Sequence, residues 1–193
     1  MKRVLLFLVF LASATMTAQR YELLQGDLKN LKGISEYNIT FDYSNMKVHG
    51  YETEEAFLND KMDKRRNVEG KAEKFREEWF SDRENRYEPQ FIAYFNKRFA
   101  KGEIKLVKDA SLQYTMNVKT VWVYPGYVVE PAKITAIITI YETENPKNVL
   151  AALEFEKSIG LEDNQYNGHR GERMAGAYEK LAKNMVIQLK RFL

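Results

Sequence analysis

The sequence contains no cysteine and only two histidines, and these absences exclude several kinds of site. A chain without a thiol forms no disulfide, binds no metal through thiolates and carries no lipid on a cysteine at the start of its mature form. The histidines, His49 and His169, stand in no metal-ligand or catalytic-triad spacing, and neither His-Glu-x-x-His nor Gly-x-Ser-x-Gly occurs. We therefore predict no metal and no cofactor, and the sequence assigns no catalytic residue.

Long apolar runs are absent beyond the first residues, which have the layout of a secretory signal peptide. Lys2 and Arg3 precede the apolar run 4–11, and small residues follow over 12–18. The run is about half of the roughly 20 residues that a membrane-spanning helix needs. We expect residues 1–18 to be removed, with cleavage after Ala14 or Ala18. The mature protein is then periplasmic or extracellular and has no transmembrane segment.

The excess of positive charge is small. The formal net charge of +3 falls to about +1 when Lys2 and Arg3 leave with the leader. The composition therefore gives no reason to expect a nucleic acid or an anionic membrane as partner. The remaining residues, 19–193, are enough for one domain with a sizeable core, and no repeat or linker divides them.

The stretch 111–159 predicts three antiparallel strands joined by short turns. Its first part alternates apolar and polar residues, which places one set in a core. The apolar set is Leu112, Tyr114, Met116, Val118, Thr120, Trp122 and Tyr124. Pro125-Gly126 suits a type II turn and Asn145-Pro146 marks a second turn. Two short connections require antiparallel neighbours, because a parallel pair needs a long crossover.

The rest of the chain predicts a strand over 38–43, a short strand over 104–107 that leads into the meander, and several helices. Alternation over 38–43 indicates a strand, and Thr53 is a suitable N-cap for a helix. Helical spacing of apolar residues predicts three further helices, over about 68–83, after Pro89 and from about Glu172. The segment 19–36 fits a short helix or a loop equally well. The predicted fold is α+β: an antiparallel meander sheet of about four or five strands, helices mainly on one face and a long C-terminal helix. The connection lengths leave open whether strand 38–43 runs parallel to a member of the meander.

Several short motifs resemble secreted proteins of Bacteroidetes-type bacteria. They are Leu31-Lys32-Gly33, Phe41-Asp42-Tyr43-Ser44-Asn45-Met46-x-Val48, Trp79-Phe80-Ser81-Asp82-Arg83 and Phe95-Asn96. This resemblance implies an exported protein and names no activity. The order of elements also resembles periplasmic domains of envelope machinery, namely the amino-terminal domain of TolB and the periplasmic part of the curli secretion channel. A shared topology implies no function.

The tip of the first hairpin is a candidate interface. Tyr124, Tyr127, Val128 and Val129 surround Pro125-Gly126, and apolar side chains on a turn that should be solvated indicate a contact surface. The alternative is that the tip folds back on the amino-terminal segment.

The start of the last helix is a candidate anion site. His169, Arg170 and Arg173 stand where cations oppose the helix dipole, an arrangement that suits a bound anion. The alternative is that Glu172 offsets the dipole and both arginines pair with acidic neighbours such as Glu154 or Glu156.

These features lead to two functional hypotheses. The first is a non-catalytic secreted or periplasmic envelope module that binds a protein partner or itself. The second is a hydrolase or small-ligand-binding domain with a cleft between helices and sheet, lined by Trp79, Phe95 and Trp122.

Overall fold

The computed structural model describes residues 21–127, 130–160 and 169–191, so the predicted signal peptide lies outside the described residues. The strands are β1 (Tyr21–Gly26), β2 (Glu36–Asp42), β3 (Lys47–Val48), β4 (Lys105–Val107), β5 (Tyr114–Tyr124), β6 (Lys133–Glu142) and β7 (Asn145–Ile159). The α-helices are α1 (Glu54–Asp63), α2 (Lys71–Asp82), α3 (Glu88–Arg98) and α4 (Arg170–Leu189). A 3-10 turn, Leu28–Leu31, follows β1, and a π-helical turn, Arg83–Tyr87, joins α2 to α3 without a break.

The strands form one mixed sheet with the order β1-β7-β6-β5-β2-β4, and β3 also pairs with β5. The meander β5-β6-β7 is antiparallel, as predicted. The prediction of an antiparallel sheet of four or five strands is wrong, because the described residues form seven strands and β2 runs parallel to β4 and β5. The helices α1 to α3 lie between β3 and β4 in the chain, and they supply the long crossover that parallel pairing needs.

The amino-terminal segment forms an edge strand that the sequence did not reveal. β1 pairs antiparallel with β7, and its side chains are exposed along its whole length, so no alternation of burial marks it as a strand. Gly26 ends it with a φ of +72°, and a Cβ at this position would collide with the carbonyl oxygen of Leu150. Here glycine permits the close approach of two strands.

The second predicted turn is displaced by two residues. Asn145 pairs with Glu142, so Thr143 and Glu144 make the turn, and Pro146 lies near the start of β7. Proline is tolerated near a strand end, where no ladder hydrogen bond needs its missing N–H.

A bulge in β5 changes which face its last residues occupy. The register with β6 shifts between Thr120 and Trp122, so Thr120 and Val123 both point to the covered side and are fully buried. Trp122 pairs with Thr135 and lies on the opposite face. The predicted alternation is therefore correct up to Thr120 and reversed beyond it.

The start of α1 and the long last helix are as the sequence indicated. Thr53 accepts a hydrogen bond from the Ala56 N–H at 3.1 Å and caps α1, as predicted. The long C-terminal helix is confirmed as α4, and it buries Met174, Tyr178, Leu181, Met185 and Leu189. The buried faces of the helices and the inward residues of the strands share one hydrophobic core.

Three tyrosines in this core and a fourth packed against it should make the protein sensitive to alkali. Burial is the main cause that raises the pKa of Tyr37, Tyr43, Tyr87 and Tyr178 above the ordinary value. Each phenol ionises in the unfolded chain above about pH 10 while it stays neutral in the folded chain. The free energy of unfolding should therefore fall with rising pH, by about 1.4 kcal/mol per pH unit for each such tyrosine.

Urea unfolding between neutral pH and about pH 11 measures this slope. Tyr37→Phe is the matched variant, because the Tyr37 hydroxyl is buried and has no hydrogen-bond partner within the described ranges. The variant should match the wild type at neutral pH and show a shallower alkaline slope. Equal slopes would contradict the assignment of Tyr37 as a buried titrating group.

Candidate functional site

A cleft of about 1010 Å³ opens between α1, α2, the β5–β6 hairpin tip and the start of α4. Within the described part of the chain, seven cationic side chains and one carboxylate line it. The cations are Lys61, Lys64, Arg65, Lys71, Lys74, Arg170 and Arg173, and the carboxylate is that of Glu78. Two histidines and several aromatic rings complete the lining, namely His49, His169, Tyr51, Phe57, Phe75, Tyr124 and Tyr127. We call this feature the basic cleft.

Aromatic packing between α1 and α2 builds one wall of the basic cleft. The Phe57 ring lies 6.1 Å from the Phe75 ring and 4.7 Å from the Trp79 ring, which fixes the two helices side by side. The Arg65 guanidinium lies 4.2 Å from the centre of the Phe75 ring, and Arg65 donates to the carbonyl of Lys61 at 2.7 Å. The lysines of both helices consequently share one side of the cleft.

Asp60 restrains two of these lysines without belonging to the lining. Its carboxylate pairs with Lys64 at 2.8 Å and with Lys61 at 3.2 Å, and it accepts a hydrogen bond from the Tyr51 hydroxyl at 2.5 Å. The hydrogen bond from Lys64 is the main cause that holds the pKa of Asp60 below its usual range, followed by that from Tyr51. The pairs orient the α1 lysines toward the cleft.

The hairpin tip forms the second wall. Gly126 has a φ of +74°, as the predicted turn requires, and an added Cβ would lie 2.8 Å from the Ala132 nitrogen. The Tyr124 hydroxyl donates to Glu130 at 2.7 Å, whereas the Tyr127 side chain is 67% exposed. Tyr127 is therefore available to a bound molecule at the rim.

The start of α4 forms the deep end of the basic cleft. His169 caps the helix by accepting a hydrogen bond from the Gly171 N–H on Nδ1 at 3.2 Å. Arg170 lies over the rings of Phe75 and Trp79, at 4.6 and 5.1 Å from their centres.

Both arginines are held by groups at the deep end. Arg170 approaches the buried carboxylate of Asp82 at 3.5 Å. Arg173 is 6% exposed and donates to the carbonyls of Pro125 and Gly126 at 3.4 and 3.5 Å. Burial lowers the pKa of Arg173, and the charge of Arg170 lowers it further. Two guanidinium groups therefore lie close enough to repel each other.

The structure brings the two predicted sites together. Tyr124 and Tyr127 of the candidate interface line the same cleft as His169, Arg170 and Arg173 of the candidate anion site. Val128 and Val129 lie outside the described residues. Arg170 pairs with an acidic neighbour, as the alternative expected, and this neighbour is Asp82 rather than one of the examples Glu154 and Glu156.

The cleft predicted from Trp79, Phe95 and Trp122 does not form. Trp79 and Phe95 are 3% and 0% exposed and belong to the hydrophobic core. The bulge in β5 turns Trp122 away from them, and its ring lies 5.8 Å from that of His49. The prediction is wrong because it continued the strict alternation of β5 beyond Thr120.

Sequence reasoning missed the lysines of α1 and α2. They belong to stretches of mixed charge, which usually form solvated helix faces. A weak signal was present, since Lys61, Lys64 and Arg65 recur at helical spacing, as do Lys71 and Lys74. Only the packing of α1 on α2 shows that these two sets of cations line the same cleft.

Neither a metal cluster nor a known relative supplies a further clue. Within 21–127, 130–160 and 169–191, no group of three or more His, Cys, Asp or Glu side chains is placed to hold a metal ion. None of the described helices is long and apolar enough to cross a membrane. Comparison with protein-family models, curated proteins and solved structures gives no match. The function must therefore be argued from the basic cleft itself.

Proposed function

We propose that the protein is a non-catalytic binding module whose basic cleft holds an acidic segment of a partner protein. The proposal is based on the positive charge of the cleft. Of the described residues, seven cations and one carboxylate line it, although the formal net charge of the whole chain is only +3. A concave surface that concentrates one sign of charge attracts and orients ligands of the opposite sign.

The aromatic lining favours a protein segment over a purely ionic ligand. Tyrosine and arginine are the residues most often found at binding hot spots, since they combine apolar contact area with hydrogen-bond donors. Tyr124, Tyr127, Arg170 and Arg173 lie together at the deep end and the hairpin wall. An acidic segment that also carries an aromatic or aliphatic side chain matches both properties of the cleft.

The expected location narrows the choice of partner. The predicted signal peptide, residues 1–18, and the resemblance to secreted Bacteroidetes-type proteins support export to the periplasm or the outside of the cell. We propose that the partner is another envelope or extracellular protein.

A small anionic molecule is the second candidate ligand. The volume of about 1010 Å³ lies at the upper end of the roughly 300–1,000 Å³ of small-molecule pockets. Such a ligand would need an anionic group for the deep end and an apolar body for the tyrosine wall.

Fluorescence anisotropy with labelled peptides tests the proposal. A peptide of alternating acidic and aromatic residues should bind the mature protein, and its affinity should fall as NaCl rises from about 50 to 200 mM. Lys71→Glu combined with Lys74→Glu should weaken binding about tenfold or more, which corresponds to about 1.4 kcal/mol. Both lysines are exposed, so the fold should tolerate the change.

A matched control changes the net charge equally at the far end of the fold. Lys29→Glu with Lys32→Glu alters two exposed lysines of the 3-10 turn, next to Leu150 near the start of β7. This control should bind like the wild type. Equal weakening in both double variants, or binding that is insensitive to salt, would contradict a specific role of the cleft. Tighter binding of a short single-stranded oligonucleotide would contradict a protein partner.

A further inference from the structure

The outer edge of β1 is a strand edge with which no other described strand pairs. β1 lies at one end of the sheet and, among the described strands, pairs only with β7. An edge strand directs half of its backbone N–H and C=O groups away from the sheet, where another strand can pair with them. Proline and lysine commonly protect such edges, and β1, with the sequence YELLQG, contains neither. The edge is therefore open to a further strand.

The apolar side chains of β1 extend the hydrophobic core beyond the area that the helices cover. Tyr21 and Leu23 pair with Phe155 and Leu153, which belong to the core, and residues opposite each other in a ladder share a face. Leu24 is the additional residue where the register of β1 and β7 shifts. Even so, Tyr21, Leu23 and Leu24 are 36%, 43% and 46% exposed. A second apolar strand beside β1 would cover all three.

The two ends of β1 carry opposite charges. Near its start, Glu22 lies directly opposite Glu154, an unfavourable pair of like charges, and neither carboxylate has an ion pair within the described ranges. Beyond its end, Lys29 and Lys32 are exposed on the 3-10 turn and make no ion pair with the described residues. Asp27 caps this turn by accepting a hydrogen bond from the Lys29 N–H at 2.8 Å. The edge is therefore negative at one end and positive at the other.

We propose that β1 pairs in antiparallel orientation with β1 of a second copy of this chain. A two-fold axis turns the second strand end for end, so the glutamates of each copy come beside the lysine end of the other. Parallel pairing in register would place Glu22 opposite Glu22 and is disfavoured. A partner with one sign of charge would match one end of the edge, whereas a second copy matches both. This interaction goes beyond the proposed function and does not use the basic cleft.

One register of the two strands matches both their faces and their charges. It pairs Tyr21 with Gly26 of the second copy, Glu22 with Gln25 and Leu23 with Leu24. Tyr21 and Gly26 share the helix side of the sheet, while Glu22 and Gln25 share the other side, as their partners in β7 show. The tyrosine ring would cover the glycine of the other copy, a favourable arrangement at strand edges. The leucines of both copies would meet at the two-fold axis.

Sedimentation velocity of the mature protein tests this proposal. A six-residue edge buries less than the roughly 800 Å² per partner of a standard interface, so we expect a dimer with a Kd of about 10–100 µM. The sedimentation coefficient should rise between about 5 and 500 µM protein. Leu24→Lys should weaken association about tenfold or more, because a lysine on a strand edge opposes pairing. Val68→Lys is the control: Val68 is 49% exposed between α1 and α2, and this variant should associate like the wild type.

Exchange of charges tests the antiparallel orientation. Glu22→Lys, and separately Lys29→Glu with Lys32→Glu, should each weaken self-association about fivefold, since like charges then meet at both ends of the interface. Mixed in equal amounts, the two variants should associate with each other about as well as the wild type, because each lysine again lies beside a glutamate. Lys71→Glu with Lys74→Glu, in the basic cleft, is the charge-matched control and should self-associate like the wild type.

The outcomes separate the strand edge from the basic cleft. A protein that stays monomeric at about 500 µM would overturn the proposal, as would equal association of Leu24→Lys and Val68→Lys. A mixture of the charge variants that associates no better than either alone would overturn the antiparallel pairing, and this test decides even if Leu24→Lys is poorly folded. A dimer that binds no acidic peptide would contradict the proposed function alone, and a monomer that binds one would contradict the strand pairing alone.

Discussion

Replacing Asp82 with alanine should lower the free energy of unfolding by about 3 kcal/mol or more, because it leaves a buried arginine without its carboxylate. Asp82 is 4% exposed and pairs with Arg86 at 2.8 Å and with Arg170 at 3.5 Å. Arg86 also pairs with Glu172 and would keep that partner in the variant. Arg170 would therefore lose more electrostatic stabilisation than Arg86. Urea unfolding followed by circular dichroism measures the change.

Glu55→Ala is the control for this prediction. Glu55 pairs with Arg76 at 3.4 Å, but both side chains are exposed, at 60% and 42%. An exposed ion pair contributes about 0–1 kcal/mol, so the control should stay near the wild type. A loss of similar size in the two variants would show that burial of the Asp82 cluster does not matter. A stable Asp82→Ala protein with an unchanged cleft would contradict the role given to Asp82.

Replacing Phe91 with alanine should cost about 3–5 kcal/mol, since the substitution opens a cavity where the core cannot easily collapse. Phe91 on α3 is fully buried, and its ring meets Phe41 of β2 edge-on at 5.7 Å and Phe95 at 6.3 Å. It therefore joins the helical segment to the parallel part of the sheet. Thermal and urea unfolding should both show the loss.

Phe80→Ala removes the same side chain from a partly exposed position. Phe80 is 36% exposed on α2 and contacts the guanidinium groups of Arg76 and Arg83. Its loss should cost about 1 kcal/mol or less. If Phe91→Ala proved no more harmful than Phe80→Ala, the packing of α3 on β2 would not be a main source of stability.

The parts of the fold that local pattern determines were predictable. The antiparallel order β5-β6-β7 follows from alternation and short turns, and Thr53 marks the start of α1. β1 was not predictable, because its exposed side chains leave no periodic signal and its pairing with β7 is decided far along the chain. The parallel pairing of β2 likewise depends on a crossover whose geometry no local pattern specifies.

Individual residues of the candidate site could be predicted from the sequence, but their meeting in one cleft could not. Tyr124 and Arg170 each stood out, one as an apolar group at a turn and the other as a cation at a helix start. Their meeting depends on contacts between distant segments, such as Arg170 with Phe75 and with Asp82. The charge of the basic cleft was hidden because lysines and acids alternate in the sequence and separate only when α1 packs on α2.

The bulge in β5 determines which way the side chains near the hairpin tip point. An additional residue between Thr120 and Trp122 reverses the orientation of the strand's last side chains, so that the Tyr124 ring meets His49 at 5.2 Å. Removing Val121 would delete the additional residue and leave Trp122, Val123 and Tyr124 paired with the same residues of β6, on their present faces. Single deletions in β5 should therefore act unequally: loss of Val121 would keep Tyr124 on the wall of the binding surface, whereas loss of Val123, beyond the bulge, would turn Tyr124 inward.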